Sequence, residues 1–142
     1  MEAMTIQAVV ADTVSEMMDA VVALDRMASG IRGLQAQLLD QVRRVSGLGS
    51  IGSSRQGAAG RGMELRSLRA ELALALRVPE RTAEAQLVVA EALVHDLPDT
   101  LVALTAGEIG YRHAQIMVDH TTALDNEPRA TLESSALPYA RN

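Results

Sequence analysis

A chain of 142 residues is long enough to bury one hydrophobic core and too short for two comfortable ones. Its apolar fraction of 48% is that of a globular protein, yet with two Tyr and neither Phe nor Trp it lacks large rigid anchors and the stacking surfaces on which single-stranded nucleic acid rests. The net charge of −5 argues against duplex binding by phosphate neutralisation, and the absence of Cys excludes disulfides, thiolate-held zinc and a thiol nucleophile.

The charge is unevenly spread. Residues 1–46 hold six acids and four Arg, residues 63–142 hold twelve acids and seven Arg, and residues 47–62 hold only Arg55 and Arg61, so the one basic segment is the middle one. No apolar run approaches the roughly 18 residues that span a bilayer, and Glu2 stands where a signal peptide would carry basic residues. A cytoplasmic protein with no membrane partner is expected.

Residues 1–46 read as one long amphipathic helix. Val10, Val14, Met17, Val21, Leu24, Ala28, Ile31, Gln35, Leu38, Val42 and Val45 alternate steps of four and three, a heptad seam with one polar interruption at Gln35. Met18, Met27, Leu34 and Leu39 widen it, which suits packing among several helices of this chain or of a partner. Homo-oligomerisation through Val14, Met17, Val21, Leu24, Ile31, Leu38 and Val42 is therefore one expectation. Thr13 to Glu16 fits a capping box, so the strongest part of the helix is expected to start there and run to about Arg44, with Gly47 as a stop. Gly30 and Gly33 lie off the seam, each costing on the order of 1 kcal/mol relative to Ala, so the helix depends on packing more than on propensity.

Residues 47–62, GLGSIGSSRQGAAGRG, have the composition of a flexible linker. A phosphate-cradling loop would need Lys before Ser or Thr, and the chain has no Lys. Residues 63–142 then read as a domain of about five short helices. Glu64 to Leu76 carries Leu65, Leu68, Leu72 and Leu76 on one side and ends near Val78, since the residue before Pro79 is pushed out of helical conformation. A second helix led by Pro79 buries Ala83, Leu87, Ala90 and Leu93 or Val94 and runs to about His95. Asp96 to Asp99 starts a third that Gly107 closes. Ile109-Gly110 leads into a fourth with Ala114, Met117 and, near its end, Leu124, and Pro128 opens a last one through Leu132, stopped by Pro138. With no strand alternation, the fold class is all-α.

The corner between the first two of these helices has helix-turn-helix spacing at Glu71-Leu72-Ala73, Leu76, Val78, Thr82-Ala83 and Leu87. If it reads DNA, Glu80, Arg81, Glu84, Ala85 and Gln86 face bases, with Arg66, Arg69 and Arg77 near phosphates. Two acids among the five oppose DNA, and Arg77 stands where the turn glycine often sits. The DNA-contacting candidates are thus Arg66, Arg69, Arg77, Arg81 and Gln86. His113 and His120 are seven apart, not the i, i+4 pair of a helical zinc site, and capping or core-edge roles suit His95, His113 and His120 better. The carboxylates read as solvated helix faces and no Ser is placed as a nucleophile, so no catalytic residues, metal or cofactor are expected.

Three stretches, RSLRAELALALRVPERTAEAQL, LPDTLVALTAGEIGYRHAQI and LDNEPRATLESSALPYA, in this order resemble the helical domain of actinobacterial proteins grouped as domain-of-unknown-function family 222, the mycobacterial thirteen-E-twelve repeat family. The resemblance covers about residues 64–140, and the long first helix more loosely. It implies a setting in DNA metabolism or mobile elements, because many members continue into an HNH endonuclease domain, and contact with DNA through such a nuclease-type parent protein. The His cluster and Cys pairs of that nuclease are not in this chain, so its activity is not carried over. Gly110 stands where relatives often have Ser or Thr, which weakens the N-cap of the following helix. The expected function is a non-catalytic accessory or assembly module, with a DNA-binding corner and a homo-oligomerisation helix as alternatives.

Overall fold

The computed structural model of the protein describes residues 2–48 and 58–141. Six α-helices account for almost all of them: α1 (Glu2–Arg43), α2 (Ala58–Leu76), α3 (Glu80–His95), α4 (Pro98–Thr105), α5 (Tyr111–Thr121) and α6 (Asn126–Ala140), with a wider π-type turn over Arg44–Leu48 after α1 and no strand among the described residues. The all-α expectation holds.

Forty-two residues make α1 about 63 Å long at 1.5 Å per residue. It begins well before the expected capping box. Thr13 sits mid-helix, its hydroxyl donating back to the Val9 carbonyl at 2.9 Å rather than capping an N-terminus. Only the second half of α1 belongs to the body, through Ser29, Gly33, Ala36, Asp40 and Arg43, a stripe with steps of four and three. Residues 4–28 are exposed on every side.

The glycines of α1 have their explanation on this docking stripe. A Cβ at Gly33 would strike the Thr105 hydroxyl and come within 2.9 Å of the Thr105 Cα, and one at Gly30 would lie 2.9 Å from the Thr105 carbonyl oxygen. The end of α4 rests directly on the α1 backbone, and that contact offsets the poor helix propensity of the two residues.

An apolar core without large aromatics is built from Leu93, Leu97 and Leu104, with Ala83, Ala90, Ala103 and Ala114 at the helix crossings. Small residues let helix backbones approach, so leucines fill the space that aromatics would otherwise occupy. In α3 the buried positions are Ala83, Leu87, Val89, Ala90 and Leu93, the expected face with Val89 added. Tyr111 is half-buried against this core, and Arg32 from α1 lies 5.6 Å over its ring. Burial pushes the Tyr111 phenol above its ordinary value of 10.0, an effect that the Arg32 charge only partly offsets.

Two helix ends share one device. Val78 N–H donates to Ala73 O at 3.0 Å and Arg77 N–H to Leu74 O at 3.3 Å, while Glu108 N–H donates to Ala103 O at 2.9 Å and Gly107 N–H to Leu104 O at 3.0 Å. Both are Schellman closures, which require a left-handed residue. Gly107 supplies it at φ +72 without penalty; Arg77 supplies it at φ +56 with a Cβ in the way. Replacing Arg77 by Gly is expected to raise stability by about 0.5–1 kcal/mol, since relief of the left-handed strain exceeds the extra freedom of the unfolded chain. Urea unfolding checks it; a lower midpoint would show that the Arg77 side chain contributes more than its backbone costs.

Several boundaries differ from expectation. Residues 58–62, assigned to the linker, form the start of α2, and residues 49–57 of that linker lie outside the described residues. Pro79 occupies the N-cap of α3 rather than its first turn, whereas Pro98 opens α4. The last helix does not stop at Leu132 or at Pro138. It continues to Ala140 with Pro138 inside it, because burial of Glu133 and Leu137, one turn apart, holds the final turns against the body.

Candidate functional site

Two features of the fold could carry a function: the charged cleft beside the end of α1, and the heptad face of α1.

The cleft, about 480 Å³, lies between the ends of α1 and α3, α5 and the start of α6. At its edge Asp40, 1% exposed, accepts from Arg43 Nη2 at 2.9 Å, Arg44 Nε at 3.0 Å and His95 Nε2 at 3.0 and 3.1 Å. Burial alone pushes the Asp40 carboxyl up, but the hydrogen bonds from Arg43 and His95, with their charges, outweigh it and hold the group below its ordinary 3.8. Arg43 also pairs with Glu91 at 3.2 Å. Across the cleft Arg129 donates to Asp96 Oδ1 at 2.8 Å and to the carbonyls of Leu124 at 2.6 Å and Thr121 at 3.3 Å, tying the α5–α6 turn to the end of α3.

An Asp–His pair is half of a general-base device. The hydroxyls that share this cleft are committed elsewhere, with Thr121 donating to Met117 O at 2.7 Å and Thr122 to Val118 O at 2.6 Å. The cleft's three arginines are each matched with carboxylates. It is the electrostatic joint of the body, fastening α1 to α3 and α3 to α6. Among the described residues, no group of three or more His, Cys, Asp or Glu is placed to hold a metal ion. His113 and His120 are exposed on α5.

The proposed DNA-contacting residues differ in exposure: Arg69 and Gln86 are partly buried, and Arg66, Arg77 and Arg81 lie in solvent. Arg69 is half-buried and bridges Glu80 and Glu84 of α3, both at 3.2 Å, so its charge is spent inside the α2–α3 corner. Gln86 turns inward, lining a small gap with Arg32, Gln35 and Tyr111, and its Oε1 is buried there without a hydrogen-bond partner. Arg66, Arg77 and Arg81 are exposed, the first donating to Gly62 O at 3.1 Å.

The heptad face of α1 carries a long row of uncovered apolar side chains. Leu24 is 64% exposed, Ile31 63% and Leu38 61%, and Val14, Met17, Val21 and Val42 are likewise in solvent. The reason is geometric. At 100° per residue Ile31, Leu38, Val42 and Val45 lie roughly 140–180° around α1 from the docking stripe of Ser29 to Arg43, so the body covers one side and leaves these residues free, while the seam before Ala28 lies beyond the docking stripe. Even over residues 31–45, where the body is in contact, Ile31, Leu38, Val42 and Val45 of the seam remain outside, and only the polar Gln35 turns partly to the gap beside Tyr111.

The sequence model of the family described as Domain of unknown function (DUF222) matches residues 19–142, most of the chain. The chain belongs to the DUF222 family. No curated protein and no solved structure matches it. The DUF222 match takes in the body-bearing half of α1, which agrees with that half being an integral part of the packed domain rather than an appendage. Among the described residues of this DUF222 chain, no helix is long and apolar enough to cross a membrane.

The positions that sequence reading missed are Asp40, Arg43, Arg129 and Glu133, all four taken for solvated charges or passed over. A signal existed for two of them. Ser29, Gly33 and Ala36 form a small-residue stripe at helical spacing, and Asp40 and Arg43 continue it. Glu133 and Arg129 carry no such local signature.

Proposed function

We propose that this DUF222 chain is a non-catalytic helical accessory module that works by assembly, joining protein chains through the free face of α1. The setting is the cytoplasm, in DNA metabolism or mobile-element biology, as for the nuclease-linked members that its sequence resembles. One observation carries the reading: an apolar seam some 35 residues long, on the order of 50 Å, is left in solvent by the body apart from the polar Gln35. Contiguous apolar surface of that extent on a helix is the usual mark of a protein interface. The charged joint at Asp40 supports the same reading, because its groups hold helices together and leave no activated nucleophile in the cleft.

The purified protein, incubated with plasmid DNA and magnesium, manganese or zinc, is expected to leave the DNA intact. Cleavage that disappears on His95→Ala, His113→Ala or His120→Ala would overturn the non-catalytic assignment. The same preparation is expected to give no salt-sensitive gel shift. A shift that weakens steeply with salt and is lost on Arg81→Ala would replace assembly by DNA contact at the α2–α3 corner.

A further inference from the structure

We infer that the free face of α1 is covered by a second copy of this chain, in an antiparallel two-helix pairing centred between Ala28 and Ile31. The inference rests on the assembly reading above and names the occupant, the direction and the register.

The seam places Val14, Val21, Ala28, Gln35 and Val42 at one of the two inward heptad positions and Met17, Leu24, Ile31, Leu38 and Val45 at the other. An antiparallel copy sets residues of the first set against the second. Val14 then faces Val45 of the second copy, Met17 faces Val42, Val21 faces Leu38, Leu24 faces Gln35 and Ala28 faces Ile31, and the twofold axis repeats each layer.

The flanking positions decide direction. In the antiparallel arrangement one flank matches Asp25 twice with Arg32, which is exposed at the edge of the body over Tyr111, and sets Met18 beside Leu39, which packs in part on its own body, while the other flank matches Met27 with Leu34. The charges meet opposite charges and the apolar residues meet apolar residues. A parallel pair in the same seam would set Asp25 beside Ala20 and Arg32 beside Met27, leaving both charges unmatched. The single polar seam residue, Gln35, accepts from Arg32 Nη1 at 2.9 Å within its own chain and turns partly to the gap beside Tyr111, so it meets Leu24 at the polar edge of its layer.

Overlap from residue 14 to 45 is about 48 Å of helix, and two helices in contact over that length remove on the order of 1,000 Å² from water, the lower bound of a specific interface. Antiparallel pairing also lays the bare half of each α1, residues 4–28, along the body-bearing half of the other.

The absence of Cys makes the register directly readable. Val21→Cys and Leu38→Cys proteins, mixed in equal amounts and oxidised, are expected to form the mixed disulfide in preference to either symmetric one. Light scattering on the unmodified chain is expected to give twice 15.1 kDa. Leu24→Glu with Ile31→Glu, at positions exposed in the single chain, is expected to weaken pairing at least ~100-fold while leaving the helical circular dichroism intact. Symmetric disulfides at both positions overturn the antiparallel register. A single-chain mass up to high micromolar concentration, or a mass of three or more chains, overturns the two-chain pairing. None of these outcomes is the DNA cleavage or gel shift that would overturn the assembly reading, so the two fail separately.

Discussion

Replacement of Asp40 by Ala is expected to cost on the order of 3–5 kcal/mol, a large part of the 5–15 kcal/mol that holds a domain of this size folded. The carboxylate is buried and is the shared acceptor for Arg43, Arg44 and His95, with distances of 2.9 to 3.1 Å. Removing it takes from the Arg43 guanidinium, itself 8% exposed, the buried carboxylate at 2.9 Å and leaves the more exposed Glu91 at 3.2 Å to offset its desolvation. Arg44, half-exposed, contributes little, because water screens what it loses. Asp40→Asn, which keeps the shape and removes the charge, is expected to cost less than Asp40→Ala. The same group predicts a pH dependence. Since Asp40 is held below 3.8 in the folded protein, the unfolded chain binds its proton first as pH falls, and stability rises with pH across that window. Its contribution is fully present above about pH 4–5 and is lost as pH falls through the folded value. Urea unfolding at a series of pH values is expected to show the unmodified protein losing ground to Asp40→Asn below pH 4. Parallel curves would show that Asp40 is not the titrating group.

The second large effect belongs to Glu133. This carboxylate, 3% exposed on α6, accepts from both Thr100 N–H at 2.6 Å and Thr100 Oγ1 at 2.7 Å. Thr100 stands in the first turn of α4, whose N-cap residue Leu97 has no side chain able to cap. Glu133 therefore supplies from 33 residues away what a local Ser or Asp normally supplies, and its negative charge lies at the positive end of the helix. Glu133→Ala strands a buried N–H and a buried hydroxyl together and is expected to cost about 2–4 kcal/mol, or a fall in Tm on the order of 5–15 °C. Glu133→Gln keeps an acceptor and is expected to recover at least half of that. Thermal melts of the two variants decide the matter. Equal losses would assign the effect to packing, and no loss in either would remove the cap from the account.

Both residues were invisible to a linear reading for the same reason. Thr100 and Glu133 are 33 residues apart, Asp40 and His95 are 55, and a charged residue on a helix looks solvated until the helix that covers it has been placed. Where the covering element was local, the reading succeeded. The face of α3 follows from apolar spacing within one helix, the closure of α4 from Gly107, and the break at Arg77 to Pro79 from proline sterics. Pro138 misled because its local effect is real but small near a helix end, and burial of Leu137 outweighs it. Arg77 was legible as a missing glycine, and its backbone takes the conformation that a glycine would have taken.

The candidate site divides in the same manner. Heptad spacing alone determined that α1 carries an apolar seam, because alternate steps of four and three place those residues on one side of any α-helix, whatever surrounds it. Family membership and the all-helical class were likewise written in local order and spacing. Which face of α1 the body would take was a tertiary decision. The small residues Gly33 and Ala36 admit close backbone approach, and Asp40 and Arg43 find their partners only once α3 lies beside them. That choice turns the seam outward into solvent.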